Sequence, residues 1–187
     1  EEKTVTKAVK CICDSEYSEY KNKFQLITVI PDKETLSQAS KEIYKYKKVE
    51  WTSVIDPGKG KPIALNLALK KVKGKIIILT DGDVYLGENS IKLLHDAFKN
   101  PKVMGSTGRP VSADKKNNFF GYLSHLLADA AHHKRLTTLK GIRSGRSRVF
   151  VGSKSNFFAL SGYAMAMKNF QLQLPKDTLV DDAYLSY

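Results

Sequence analysis

The sequence predicts an α/β domain with a mostly parallel sheet flanked by helices. Three observations carry this expectation. In the first half, short β-branched runs alternate with amphipathic stretches, and strand and helix change places four times, the pattern of parallel βαβ units. One run, Ile76 to Thr80, is five aliphatic or β-branched residues without a charge, as a strand covered on both faces reads. The chain has 187 residues, 42% hydrophobic and 27% charged, sufficient for one ordinary core.

Each element has its own signal. Val5, Ala8, Val9 and Ile12 recur at helical spacing, so the chain opens inside a helix. Phe24 to Ile30, FQLITVI, predicts a strand stopped by Pro31 and Asp32. Leu36, Ala39, Ile43 and Tyr46 mark the next helix, and Val49 to Ile55, VEWTSVI, a strand closed by Asp56-Pro57-Gly58. Ala64, Leu65, Ala68, Leu69 and Val72 stripe a helix beginning near Pro62, a residue that a first turn tolerates. Ile76–Thr80 follows as the expected central strand, and Ile91, Leu94 and Phe98 predict a helix ending before Pro101.

After Arg109-Pro110 the alternation stops. Phe119 to Leu139 predicts a long helix with Tyr122, Leu123, Leu126, Leu127 and Ala130 on one side. The basic run from Lys134 to Arg148 reads as a loop. Phe157 to Met167 is apolar with a break at Ser161-Gly162, and Asp181-Asp182 opens a last helix. No repeat or domain boundary divides the chain, so residues 1–109 and 110–187 are expected to be halves of one domain.

The formal charge of +12 favours anionic partners: nucleic acid, phospholipid head groups or phosphorylated small molecules. Aromatic residues are not interleaved with the cations of Lys134–Arg148, so a stacking platform for single-stranded nucleic acid is not expected. Cys11 and Cys13, the 2 cysteines, stand too close together to staple a fold and read as helix residues in a reducing compartment. No apolar run approaches the length of a membrane span.

The chemistry is expected where the Ile76–Thr80 strand ends in Asp81-Gly82-Asp83. Open α/β sheets bind ligands beyond the carboxyl ends of their strands. In an extended chain residues i and i+2 face the same side, which would bring the carboxylates of Asp81 and Asp83 to one point. Such a pair, with no fixed cation nearby, calls for magnesium or manganese shared with substrate phosphates. The plainer reading is an acidic turn closing a strand.

Four features then fall in order. They are the basic loop DPGKGKPIALNLAL from Asp56 to Leu69, Asp81-Gly82-Asp83 twenty residues after Lys61, SGYAMAMK from Ser161 to Lys168, and Asp181-Asp182. Together they resemble the family-2 glycosyltransferases, inverting nucleotide-sugar enzymes of the GT-A fold. The resemblance implies that Asp83 binds a divalent metal, Mn2+ or Mg2+, on the donor diphosphate. It places Asp81 on the nucleotide and its ribose, reaching the metal through water, with Asp32 near the base and Lys61 at the nucleotide edge. Asp182 matches the general base that takes the acceptor hydroxyl's proton, and Asp181 stands where the family usually has Glu. Gly162 matches the acceptor-side segment, so residues 110–187 become the acceptor-side half. The implied partners are a UDP-sugar by default and a saccharide or lipid-linked acceptor. The implied location is cytoplasmic, or the cytoplasmic membrane face.

The resemblance also implies a family strand before Glu1-Glu2 and further family sequence after Tyr187. The sheet is then expected to lack a strand beside Phe24–Ile30 or the central strand. A strand ending in D-x-D-V also resembles the haloacid-dehalogenase-type phosphotransferases, with Asp81 as nucleophile. Those enzymes place the strand near their amino terminus and need a later G-D-x-x-x-D motif that Asp181-Asp182 does not supply. A basic nucleic-acid-binding module is the other alternative. The Lys61 loop is not a P-loop, because Pro62 follows the lysine where Ser or Thr is required.

Overall fold

β-Branched side chains are stiff at χ1 and suit a pleated strand, and two segments rich in them pair with one another. In the computed structural model of the protein, which describes residues 2–15, 24–138 and 160–176, β1 (Phe24–Ile30) runs parallel to β2 (Val49–Ile55), from Phe24 opposite Val49 to Ile30 opposite Ile55. Between them lies α2 (Lys33–Ile43), and before them α1 (Glu2–Asp14). Val9 of α1, Ile30 of β1 and Ala39 and Ile43 of α2 form a buried cluster, with Leu26, Leu36 and Trp51 packed against it. The parallel pair, its crossover helix and the opening helix agree with the sequence.

α3 (Lys61–Leu69) leads to β3 (Ile76–Thr80), then α4 (Ser90–Asp96), β4 (Gly105–Thr107), α5 (Phe119–Thr138) and β5 (Ala164–Lys168). These strands form a second sheet in the order β3-β5-β4, with β5 antiparallel to both neighbours. Side chains alternate across it. Ile76 and Ile78 join Leu86, Leu94, Ala164 and Ala166 on one face, while Ile77 packs with Leu160, Met165 and Met167 on the other. Ile12 of α1 reaches the first of these clusters and Val9 the core beside β1, so one helix ties the two sheets together.

Two expectations are corrected. β3 does not lie in the middle of a parallel sheet: its described partner is β5, antiparallel, and only Ile77 of its five residues is buried. The middle strand is β5, where Ala164, Met165, Ala166 and Met167 are all buried. An uncharged run reports that both faces are covered, and carries no information about the direction of the neighbouring strand. β4, three residues without an apolar run, gave no sequence signal. Because β5 pairs between β3 and β4, residues on either side of position 109 share one sheet.

No described strand joins β1 to β3. Their amino ends are linked by the Gln25 side chain, which donates to Lys71 O at 2.8 Å and accepts from Lys73 N at 2.9 Å.

α5 is present as predicted, but its apolar side faces outward. Phe119, Phe120, Tyr122, Leu126 and Leu127 are all more than half exposed. The basic run after residue 138 and the Asp181-Asp182 segment lie outside the described residues.

Candidate functional site

The loop after β2 builds the first wall. Asp56 Oδ1 accepts from Gly58 N at 2.8 Å, closing a tight Asx turn. Gly58 at φ 69° and Gly60 at φ 101° then take conformations that side-chain-bearing residues rarely adopt. That is why DPGKG needs its two glycines, and the loop delivers Lys61 to the start of α3. There Lys61 Nζ stands 3.0 Å from Asp81 Oδ1.

Asp81 follows the last residue of β3. Thr80 Oγ1 donates to Tyr163 O at 2.9 Å, holding this strand end against the turn that carries Gly162 into β5. Val84 N donates to Asp81 O at 3.2 Å, so Asp81-Gly82-Asp83 opens a turn. The extended geometry expected to align the two carboxylates is therefore absent. Asp81 is half-buried and bound by Lys61, whereas Asp83 is exposed. The premise of two carboxylates without a fixed cation is also corrected, since Lys61 compensates Asp81. The structure thus brings Lys61, Asp81 and the Gly162–Tyr163 turn together, with Asp83 on the solvent side of the same turn.

Asp32 lies beyond β1, at the same edge as Asp56, because Asp56 N donates to Ile30 O at 2.9 Å. Its carboxylate caps α2: Oδ1 accepts from Thr35 N at 2.7 Å and Oδ2 from Thr35 Oγ1 at 3.1 Å. The backbone bond from Thr35, foremost, lowers the pKa of Asp32 below the usual carboxylate value. Both oxygens are engaged within the chain, a use that the sequence-based reading did not foresee.

Asp181 and Asp182, the expected base and its neighbour, lie outside the described residues. Ser161, just before Gly162, is fully buried; its N donates to Thr107 Oγ1 at 2.9 Å, and its Oγ has no partner among the described residues. Thr80 and Tyr163 were not singled out in the sequence. Their signal was adjacency, Thr80 to the D-G-D and Tyr163 to Gly162. Burial, with Asp14 and Glu42 nearby, raises the Cys13 thiol to about 12.

No group of three or more His, Cys, Asp or Glu gathers among the described residues to hold a metal. The donors at the β3 end are one exposed carboxylate and one paired with an ammonium. This sparse all-oxygen set fits a hard divalent cation that keeps waters and takes its other ligands from substrate phosphates. It does not fit a closed protein cage.

The family model of "Glycosyl transferase family 2" matches residues 1–168. No curated protein matches the chain. Among solved structures, the chain is similar to the mannosyltransferase PcManGT from Pyrobaculum calidifontis, determined in complex with GDP-Man and Mn2+. The TM-score is 0.66 at 17% identity, over 99% of this chain and 47% of that one. At that identity the likeness is one of fold, and the chain spans about half the length of that enzyme.

Proposed function

The chain belongs to glycosyl transferase family 2, and on that premise we propose that it moves a sugar from a nucleotide-sugar donor to an acceptor hydroxyl, with inversion. The observation that carries this reading is the Lys61–Asp81 pair at the end of β3, against the Gly162–Tyr163 turn and beside Asp83. A cation, an acidic turn and an exposed carboxylate at one strand end suit a ligand with a diphosphate and a ribose. Asp81 is assigned to the ribose, Lys61 to the diphosphate, Asp32 to the base and Asp83 to a divalent cation. On donor binding, Lys61 would exchange part of its pairing with Asp81 for the diphosphate oxygens. A bound Mn2+ or Mg2+ would neutralise charge on the departing nucleoside diphosphate.

Asp182 is assigned as general base. The acceptor oxygen attacks the anomeric carbon, its proton passes to the Asp182 carboxylate, and the bond from that carbon to the phosphate oxygen breaks. The electron pair leaves with the nucleoside diphosphate. Gly162 lies on the side where the acceptor, a saccharide or a lipid-linked sugar, would approach. A UDP-sugar is the default donor. A GDP-sugar is tested beside it, since the structurally similar mannosyltransferase holds GDP-Man.

The test is calorimetry with UDP and GDP, with manganese and with EDTA. Binding should require the metal and should be lost in Asp83→Ala, and equal affinity in EDTA would remove the metal assignment. Asp182→Asn should leave donor binding intact while transfer falls about 10²-fold or more. Undiminished turnover would move the base elsewhere, with Asp181 first in line.

A further inference from the structure

An amphipathic helix in a globular domain ordinarily turns its apolar stripe to the core, and α5 does the reverse. Phe119, Tyr122, Leu123, Leu126, Leu127 and Ala130 follow the i, i+3, i+4, i+7, i+8, i+11 spacing of one helix face. Of these, Phe119 is 72%, Tyr122 61%, Leu126 55% and Leu127 61% exposed. The side that touches the protein is small and polar. Gly121 is buried. Ser124 Oγ lies 2.8 Å from Ser112 Oγ, and His125 Nε2 lies 2.8 Å from Asp114 O. The helix is thus fastened to the 109–118 loop by hydrogen bonds through its polar side, and the stripe is left outside. Large apolar side chains left exposed together on one helix face mark an interaction surface.

We propose that this face of α5 docks on the surface of an anionic lipid bilayer, lying in the head-group plane. Charge decides between the possible occupants. The chain carries +12, so a second copy would bring like charge to the contact, whereas acidic lipid attracts it. Lys115 and Lys116, both exposed, stand at the amino end of the stripe, and exposed Lys134 stands toward the other end. Asp114 and Asp129 are the acids of residues 109–134, and Arg109 Nη2 holds Asp129 at 2.6 Å. Phe119, Phe120 and Tyr122 crowd the amino end, and aromatic rings at one end of an apolar face with cations at its rim are the composition of interfacial helices. No helix of the described residues is long and apolar enough to cross a membrane, so this contact would lie on the bilayer and not through it. The inference does not depend on the reaction proposed above.

The experiment is co-sedimentation of the full chain with vesicles of phosphatidylcholine mixed with phosphatidylglycerol, and with phosphatidylcholine alone. The chain should partition to the mixed vesicles and less to the neutral ones, with the difference shrinking at high salt. Phe120→Ser/Leu127→Ser should weaken partitioning about tenfold or more, while Tyr44→Ser, at an exposed aromatic just past the end of α2, should leave it unchanged. Undiminished partitioning of the double variant, or none by the parent chain, would overturn the proposal. So would self-association of the parent that the double variant abolishes, which would make a second copy the occupant. A large loss of folding stability in the double variant would overturn it as well, by showing that the chain covers the face itself.

Discussion

α2 and α5 carry the same code and put it to opposite uses. Each repeats apolar residues at helical spacing, Leu36, Ala39 and Ile43 in one and Tyr122, Leu123, Leu126 and Leu127 in the other. In α2 that stripe closes on β1 and Val9 of α1, with Ala39 fully buried and Ile43 nearly so. In α5 the stripe faces out, and the helix is seated through Gly121, Ser124 and His125. The difference teaches that periodicity establishes that a helix has an apolar face, and leaves open what covers it. It also separates two kinds of residue that look alike in sequence, those that hold the fold and those available for a surface.

The comparison can be broken most directly by one pair of truncations. Ile43→Ala should cost about 2–5 kcal/mol of unfolding free energy, the range for a buried aliphatic truncation. Leu127→Ala should stay within about 0.5 kcal/mol. Urea titrations giving equal costs would mean that the α5 face is buried after all. The seating of α5 is sharpened by Gly121→Ala. A Cβ at this position would lie 2.0 Å from Lys115 O, so the helix or the loop must shift, at about 1–3 kcal/mol. A neutral result would remove the close contact between α5 and the 109–118 loop.

The smallest effect belongs to the start of α2. Asp32→Ala removes the cap and should lower the urea midpoint modestly at neutral pH. The folded pKa of Asp32 is depressed, so its contribution is present above the unfolded value of about 4 and is lost as pH falls through the folded value. The gap between parent and variant should therefore close in acid, as a pH series of unfolding midpoints will show. A gap that persists in acid would mean that the carboxylate is not the stabilising group. Measured beside it, donor affinity reports whether Asp32 also serves the base.

At the candidate site, the sequence located the parts better than their relations. The D-G-D at the end of β3 and the Gly-rich loop from Asp56 are legible because a strand end and a glycine cluster are local features, and Lys61 is legible through the order of motifs. That Lys61 binds Asp81 was not legible, since the contact closes across twenty residues and depends on how α3 is set against β3. Tyr163 and Thr80 were missed for the same reason: their bond spans 83 positions. Asp32 sits at a strand end where the resemblance implies a ligand, and its carboxylate also caps its own helix through Thr35, a use set by the turn that starts α2.

What the sequence by itself determined is therefore the described elements other than β4, and the family. Strand and helix propensities, Pro and Gly punctuation and motif order are properties of neighbours along the chain. What only the tertiary structure decided is neighbourhood across it: that β5 runs antiparallel into the middle of the second sheet, that β3 stands at that sheet's end among the described residues, and that the stripe of α5 faces out. Strand order and helix rotation are chosen by the summed packing of segments far apart in sequence. No short window contains that sum.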